Sequence, residues 1–315
     1  MSQTDARAVD SEPAVISVCE AGAAIITLMT QNPPLTRLAL AYNSAIPEAP
    51  ALANAITETL AAYDADIVFS GAFENSAELP PLISKRECGA LIVLGGDGTM
   101  LRASHLCAPA GVPILGINLG LIGFLMELQR DEWREYLPRL LKGDYRLEER
   151  MLLCAEHRRA EQSLGVWLAV NEAAICRGQY VRPIRLKVSA DGFPVASYVA
   201  DGLIASTPTG STAYALAAGG PILPPELRNI LLVPLAPHLS PDQTVVLSEG
   251  SGVTVSVFTA HEAVLSIDGH PPVMLADGDT VRVTASDTNL RFIRFLDPGY
   301  FYRNLNRFLE QNPSV

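Results

Sequence analysis

Short apolar segments alternate with helix-like segments between residues 35 and 144, and this alternation limits the possible folds more than any other feature. Apolar runs at 38–42, 90–94 and 112–117 are separated by stretches long enough for helices, which is typical of a parallel sheet covered by helices. After Gly143 the pattern changes to closely spaced runs rich in Val, Ile and Thr, separated by Asp-Gly and Glu-Gly turn pairs. The sequence therefore predicts an α/β domain over 35–144 and a mostly β, sandwich-like domain over 145–290.

The two ends of the chain carry separate predictions. Residues 1–34 have weak periodicity and end in Asn-Pro-Pro, which indicates a variable N-terminal extension. The stretch Asp-Pro-Gly-Tyr at 297–300 precedes a short helical pattern. We therefore expect residues 291–315 to return to the α/β domain.

Composition and charge narrow the class of protein further. The chain has 315 residues, of which 49% are hydrophobic and 18% charged, as in globular proteins. A formal net charge of −11 disfavours nonspecific binding to nucleic acids or membrane surfaces, which need a basic face. Five scattered cysteines favour reduced thiols, and the apolar run at 21–29 is too short to span a bilayer. We expect a soluble cytoplasmic protein that holds anionic ligands by local dipoles and a few arginines.

The sequence Gly-Gly-Asp-Gly-Thr at 95–99 follows a predicted buried strand and precedes a predicted helix. Gly95, Gly96 and Gly98 are expected to adopt positive φ angles and, with Thr99, to form a phosphate loop at the helix N-terminus. A carboxylate repels phosphate, so Asp97 is expected to bind the metal of the ligand or to accept a proton from an attacking hydroxyl. Both roles indicate phosphoryl transfer, and the alternative is a tight turn with a solvated Asp.

Further candidate binding residues lie in three other segments. A glycine-rich segment at 116–124 follows another strand and ends in Phe124, whose ring either stacks on a base or caps the core. Asn171 and Glu172 end an apolar run, and a carboxylate beside an amide suits the two hydroxyls of a ribose. His270 lies in a predicted hairpin and is either structural or functional.

The segment 201–214 runs from Asp201 through a short strand into a hydroxyl-rich turn. Thr209 or Ser211 is expected to cap a helix at roughly 211–218. The hydroxyls and free amides of this turn are expected to hold a pyrophosphate or a ribose without a lysine. The alternative is a capped helix with no ligand.

Several common motifs are missing from the sequence. A Gly-Lys pair does not occur, so there is no P-loop, and no segment satisfies the Gly-x-Gly-x-x-Gly of a Rossmann hydride-transfer enzyme. The sequence also shows no spacing that indicates a built-in metal site. We therefore expect a divalent cation, Mg²⁺, to arrive with the phosphates of a nucleotide.

Taken in order, five motifs resemble those of the bacterial NAD kinase family. They are Gly-Gly-Asp-Gly-Thr at 95–99, Gly-Leu-Ile-Gly-Phe at 120–124, Asn-Glu at 171–172, Asp-Gly at 201–202 and Thr-Pro-Thr-Gly-Ser-Thr-Ala-Tyr at 207–214. The resemblance covers about residues 36–305. It implies phosphorylation of the 2′-hydroxyl of the adenosine ribose of NAD to give NADP, with ATP, another nucleoside triphosphate or polyphosphate as donor and a divalent cation. It also implies a homodimer or homotetramer whose NAD site includes groups from a neighbouring subunit.

The same resemblance implies roles for individual residues. Asp97 resembles the catalytic base, and Gly98 and Arg102 resemble lining residues of the same pocket. The positions that resemble NAD-binding residues are Asn171, Glu172, Arg182, Asp201, Thr209, Thr212, Ala213, Tyr214 and His270. Ala217 stands where the family often has Ser, which removes one hydrogen bond to the ligand. Ala236 lies in a segment, 232–238, that either approaches the NAD of a neighbouring subunit or is a buried strand followed by a turn.

Two alternatives to a NAD kinase remain at this point. A lipid kinase of the same superfamily shares the first motif but needs an apolar acceptor pocket or a basic patch facing a membrane. A non-catalytic NAD(P)-binding sensor lacks the acidic catalytic residue, whereas Asp97 is present here. Region 145–290 also supplies more sheet than one α/β layer covers, so we expect it to pair with another subunit.

Overall fold

The computed structural model describes residues 32–74, 76–120, 123–238 and 242–311, with side chains described as far as residue 306. The prediction of a variable N-terminal extension falls almost entirely on residues outside this range. Within the described residues, no helix combines the length and the apolar character needed to cross a bilayer.

Parallel strands with intervening helices form the first part of the described chain. In chain order the elements are β1 (Arg37–Tyr42), α1 (Ala49–Ala61), β2 (Asp66–Ala72), α2 (Leu79–Ser84), β3 (Ala90–Gly95), α3 (Asp97–Cys107), β4 (Ile114–Asn118), β5 (Leu128–Gln129) and α4 (Trp133–Leu140). Strand β3 is buried along its whole length and pairs in parallel with β1 and β4. The carboxyl ends of β3 and β4 therefore lie side by side, and the segments that follow them meet at one edge of the sheet.

Strands dominate the second part of the chain. They are β6 (Arg146–Arg159), β7 (Gln162–Ala169), β8 (Glu172–Arg177), β9 (Ile184–Ala190), β10 (Phe193–Ala200), β11 (Gly202–Ser206), β12 (Asn229–Leu235), β13 (Val245–Ser248), β14 (Val253–Phe258), β15 (Ala263–Ile267), β16 (Val273–Leu275) and β17 (Thr280–Arg294). Two helices complete the chain: the four-residue α5 (Tyr214–Ala217), directly after a 3₁₀ turn at Thr209–Thr212, and the C-terminal α6 (Tyr300–Gln311).

Among the described residues, these strands form two sheets. The smaller has six strands in the order β13-β12-β11-β8-β15-β16, and the larger has eleven, with β10-β9-β14-β17-β4-β3-β1-β2 as its main path. Apolar side chains of both sheets, such as Ile175 and Leu203 from the smaller and Leu186 and Val255 from the larger, share one buried core. The prediction of a parallel α/β part followed by a sandwich-like β part is confirmed.

Strand β17 joins the two parts of the chain. It is antiparallel to β6 and β14, and its residue Phe292 pairs in parallel with Ile114 of β4. The larger sheet therefore runs without interruption through both parts. The predicted domain boundaries near 145 and 290 stay predictions.

Several predicted elements differ in extent from the structure. Among the Val-, Ile- and Thr-rich runs of the β region, the one at 195–207 forms two strands, β10 and β11, with Asp201 between them. The run at 167–176 is divided at Val170–Asn171. The expected helix at 211–218 is limited to α5. Strand β6 and helix α2 have no counterpart in the sequence-based prediction, because charged residues interrupt the first and two prolines the second.

Candidate active site

Asp97 lies in the first turn of α3, where the helix dipole favours a negative charge. Its Oδ2 accepts a hydrogen bond from the backbone N–H of Phe124 at 2.8 Å, and its Oδ1 accepts one from Leu125 at 3.1 Å. Gly123 permits this approach, because a Cβ at that position would overlap the Asp97 carboxylate. The loop after β4 therefore orients the candidate base.

The glycines beside Asp97 do not have the backbone conformation that we expected. Gly96 has a φ of −127°, and neither Gly95 nor Gly98 has a positive φ. At Gly95 a side chain would not fit, since a Cβ there would lie 2.6 Å from the Thr99 hydroxyl. At Gly96 and Gly98 a Cβ would have no atom within 4 Å, so this side of the loop is open.

The candidate ribose-binding residues Asn171 and Glu172 lie at the junction of β7 and β8, in a turn that we call the 170–172 turn. The carboxylate of Asp268 accepts the backbone N–H groups of Val170, Asn171 and Glu172 at 2.7, 2.8 and 2.8 Å. Asp268 has a φ of +48° in the hairpin after β15. In sequence Asp268 lies in the hairpin predicted around His270, and nothing there indicates that it organises three amides across the fold.

Glu172 is buried, with 7% of its surface exposed, and its Oε2 has no hydrogen-bond partner within the described part of the chain. Burial, together with the nearby negative charge of Asp268, raises the pKa of Glu172 to about 8. The carboxyl group is therefore largely protonated at neutral pH, whereas the sequence suggested a charged acceptor. A ribose hydroxyl both donates and accepts hydrogen bonds, so it suits either state of this group.

The hydroxyl groups of segment 206–212 bind the protein itself. Ser206 and Thr207 donate to the backbone carbonyls of Asn171 and Val170 at 3.1 and 2.6 Å, and Ser211 donates to Pro208 at 2.6 Å. The expectation that these hydroxyls are available for a pyrophosphate is wrong for these three, because the turn is buried against the 170–172 turn. Gly210 allows this packing, since a Cβ there would overlap the Asn171 carbonyl.

The predicted helix cap at this turn is also wrong. Neither Thr209 nor Ser211 caps α5. Instead the Thr207 hydroxyl accepts the backbone N–H of Gly210 at 2.9 Å. The Thr209 hydroxyl accepts a hydrogen bond from Arg150 at 3.1 Å. A helix of four residues offers too small a dipole to act as an anion site of its own.

Four predicted site residues line a cavity of about 440 Å³ between the ends of β8, β11 and β12. They are Asp201, Tyr214, Ala217 and Ala236, and the cavity is completed by Cys176, Arg177, Ala218 and Leu235. The Nε of Arg177 lies 3.1 Å from the Asp201 carboxylate. Burial, followed by the nearby Cys176, Glu172 and Asp201, raises the pKa of Tyr214, so its hydroxyl stays neutral. The sequence had not pointed to Cys176 or Arg177.

Other predicted residues lie in different surroundings. Arg102 pairs with Glu74 at 2.8 Å and lies over the ring of Phe73. The Phe124 ring lies 6.1 Å from that of Phe301, and Arg182 is exposed in the segment before β9. The Thr212 hydroxyl and the Ala213 N–H donate hydrogen bonds to backbone carbonyls of their own turn. The His270 ring lies 4.8 Å from that of His105.

A buried polar network behind the site was not predicted. Glu148 Oε1 accepts hydrogen bonds from Arg150, Arg294 and Tyr300 at 2.8, 3.3 and 2.9 Å. Although burial acts to raise it, the two arginines hold the pKa of Glu148 at about 2. Arg150 reaches Thr209, and Arg294 donates at 3.0 Å to the carbonyl of Leu125. The charged residues of β6 gave no strand pattern in the sequence, so only the fold reveals their burial.

Comparison with known proteins identifies the family of this chain. Residues 43–145 match the family model of the ATP-NAD kinase N-terminal domain, and residues 170–295 match that of the ATP-NAD kinase C-terminal domain. The chain belongs to the NAD kinase family. It is 44% identical to the NAD kinase of Moorella thermoacetica over 71% of this chain and 72% of that protein. The NAD kinase of Chloroflexus aggregans is 36% identical over 86% of this chain and 97% of its own length.

Solved structures of an NADH kinase and an NAD kinase share the fold. Yeast NADH kinase complexed with NADH has a TM-score of 0.78 at 23% identity and covers 90% of this chain and 89% of that one. An NAD kinase from Archaeoglobus fulgidus in complex with ATP has a TM-score of 0.69 at 24% identity and covers 86% of this chain and 98% of that one. The predicted family and its NAD kinase activity are thus confirmed.

Across residues 32–311, leaving out the undescribed gaps, no three His, Cys, Asp or Glu side chains are grouped to hold a metal ion.

Proposed function

We propose that this NAD kinase transfers the terminal phosphoryl group of a nucleoside triphosphate to the 2′-hydroxyl of the adenosine ribose of NAD, with Asp97 as general base. The observation that carries the proposal is the oriented Asp97 carboxylate at the open glycine loop. Each carboxylate oxygen has two lone pairs, and each backbone amide occupies one of them. Asp97 therefore keeps acceptor capacity for the proton of a hydroxyl.

In the proposed reaction the ribose oxygen attacks the terminal phosphorus and its proton passes to Asp97. The bond from that phosphorus to its bridging oxygen breaks, and the nucleoside diphosphate leaves. General-base assistance contributes typically about 10²–10⁴-fold, so positioning and electrostatics supply the rest. Asn171 and Glu172 would orient the ribose, and the backbone amides at the start of α3 would face the phosphates.

A divalent cation, expected to be Mg²⁺, is part of the proposal. When bound, it would neutralise charge on the transferring phosphoryl group. Carboxylate and phosphate oxygens are the ligands that this cation prefers, and Asp97 supplies such oxygens beside the open face at Gly96 and Gly98. The phosphates of the donor would thus bring the cation to the side of the loop where Asp97 lies.

Assembly and location are proposed from the family resemblance and the composition. A homodimer or homotetramer would place Ala236, which directly follows β12 and has a φ of +42°, near the NAD of a neighbouring subunit. Light scattering on the full chain tests this assembly. A cytoplasmic location likewise stays a prediction.

The test of the proposed function is NADP formation from NAD with ATP or polyphosphate, each with and without Mg²⁺. Asp97→Asn keeps the shape of the side chain and removes the proton acceptor, so kcat should fall at least 100-fold while the Kd for NAD stays within about tenfold. Asp191→Asn is the matched control, because that carboxylate also accepts a backbone N–H, from Gly252, in a hairpin turn. Near-normal kcat in Asp97→Asn would exclude the base role. NAD binding without NADP formation by the wild type would instead favour a sensor, and phosphorylation of a lipid alcohol would favour a lipid kinase.

A further inference from the structure

The side chain of Asp268 is completely buried, and its carboxylate oxygens accept backbone N–H groups of the 170–172 turn. Its Oδ1 accepts two amides and its Oδ2 accepts a third, at 2.7–2.8 Å. In return, the backbone N–H of Asp268 donates to the carbonyl of Glu172 at 3.0 Å. Four hydrogen bonds therefore hold the 170–172 turn and Asp268 together as one unit.

His105 brings helix α3 into contact with that unit. It lies eight residues after Asp97 on the same helix, and its Nε2 is 2.8 Å from Oδ2 of Asp268. The two groups lie at ion-pair distance, while Nε2 has no hydrogen bond of acceptable angle to any described residue. The His105 side chain is 20% exposed, and its ring also packs at 4.8 Å on that of His270, two residues after Asp268.

These contacts fix α3 at two places. Near its N-terminus the amides of Phe124 and Leu125 hold Asp97, and near its C-terminus His105 meets Asp268. The two points are about 12 Å apart along the helix, at about 1.5 Å per residue. Because a helix of this length is stiff, the contacts at His105 and at Asp97 act on one rigid element.

We propose that His105 is a positioning residue, which sets the distance between Asp97 and the ribose hydroxyl through Asp268. This inference rests on the proposed function, because it needs Asp97 and the 170–172 turn on opposite sides of one reaction. Loss of His105 leaves the three amide contacts of Asp268 in place, so the turn keeps its internal geometry. Catalysis should therefore suffer more than NAD binding, since a misplacement of about 1 Å can cost about 100-fold in rate.

Three substitutions at His105 separate positioning from simple packing. His105→Phe keeps a flat ring against His270 and removes the nitrogen that lies 2.8 Å from Asp268. His105→Gln carries an amide NH₂ about as far from the backbone as Nε2, and His105→Asn carries the same amide one methylene shorter. His261→Phe is the matched control, because that histidine packs its ring at 5.7 Å on Tyr180 and has no part in the proposed site.

Each full-length variant is measured for steady-state NADP formation, for NAD binding by calorimetry without a phosphate donor, and for its melting temperature. We expect His105→Phe and His105→Asn to lower kcat by about 10- to 100-fold while the Kd for NAD changes less than threefold. His105→Gln should keep kcat within threefold of the wild type, and His261→Phe should change neither quantity.

Three results would overturn the inference. The first is a kcat within twofold of the wild type in His105→Phe. The second is a loss in His105→Gln as large as that in His105→Phe and His105→Asn. The third is a fall in kcat that only follows a fall in NAD affinity or in the folded fraction. A wild-type chain that forms no NADP would overturn the proposed function itself, and with it this inference.

Discussion

Replacing Glu172 with glutamine should stabilise the ligand-free protein by an amount that grows with pH. The side chain is 7% exposed, and burial and the charge of Asp268 raise its pKa to about 8 from an ordinary value of 4.5. Between these two values the folded chain keeps the proton that the unfolded chain releases. Stability is therefore fully present below about pH 4.5 and falls as the pH rises towards 8.

The size of this effect follows from the shift. One pKa unit corresponds to about 1.4 kcal/mol, so the wild type loses up to about 3 kcal/mol between pH 4.5 and pH 7 from this one group. Glutamine carries no titrating proton and escapes this loss. The free energy of unfolding of Glu172→Gln should thus rise relative to the wild type by about 1–3 kcal/mol between pH 5 and pH 7.

Urea denaturation of the wild type and Glu172→Gln at pH 5, 6, 7 and 8, without ligand, measures this difference directly. Glu161→Gln is the control, since the Glu161 side chain is fully exposed. A difference between Glu172→Gln and the wild type that stays constant over this range would refute the reasoning. It would mean that Glu172 is ionised in the folded protein or reaches water.

Two further changes test the parts of the site that the fold brings together. Gly123→Ala should lower kcat at least tenfold in the NADP assay, because the new Cβ displaces the Asp97 carboxylate. Gly250→Ala is the control and should not lower kcat, because no atom lies within 4 Å of its new Cβ. Equal rates in the two variants would argue against the close approach of Gly123 to Asp97. Tyr300→Phe should lower the free energy of unfolding in urea by about 1–3 kcal/mol, because Arg150 loses its acceptor at 2.6 Å and Glu148 loses a donor. Tyr198→Phe, at an equally buried tyrosine, is the control, and an equal loss in both variants would contradict a special role for the network.

The sequence by itself determined the order of architectures and the place of the main motif. Alternation of apolar runs and turn pairs is a local property, which short windows of sequence show. Such windows were enough to predict the parallel strands, the later β region and the position of Asp97 just after β3. The motifs at 171–172 and 207–214 also identified the family, as the comparisons confirm. Local patterns did not reveal that strand β17 would join both parts in one sheet.

Only the tertiary structure decided how the site is held. The amides that orient Asp97 come from residues 27 and 28 positions later, and Asp268 binds amides 96–98 positions earlier. Such contacts depend on strand register and sheet packing, which no short window of sequence encodes. Burial likewise set the protonation of Glu172 and turned the hydroxyls of Ser206, Thr207 and Ser211 towards the backbone. The cost of leaving buried polar groups unpaired made these side chains part of the scaffold, although in sequence they looked like ligands.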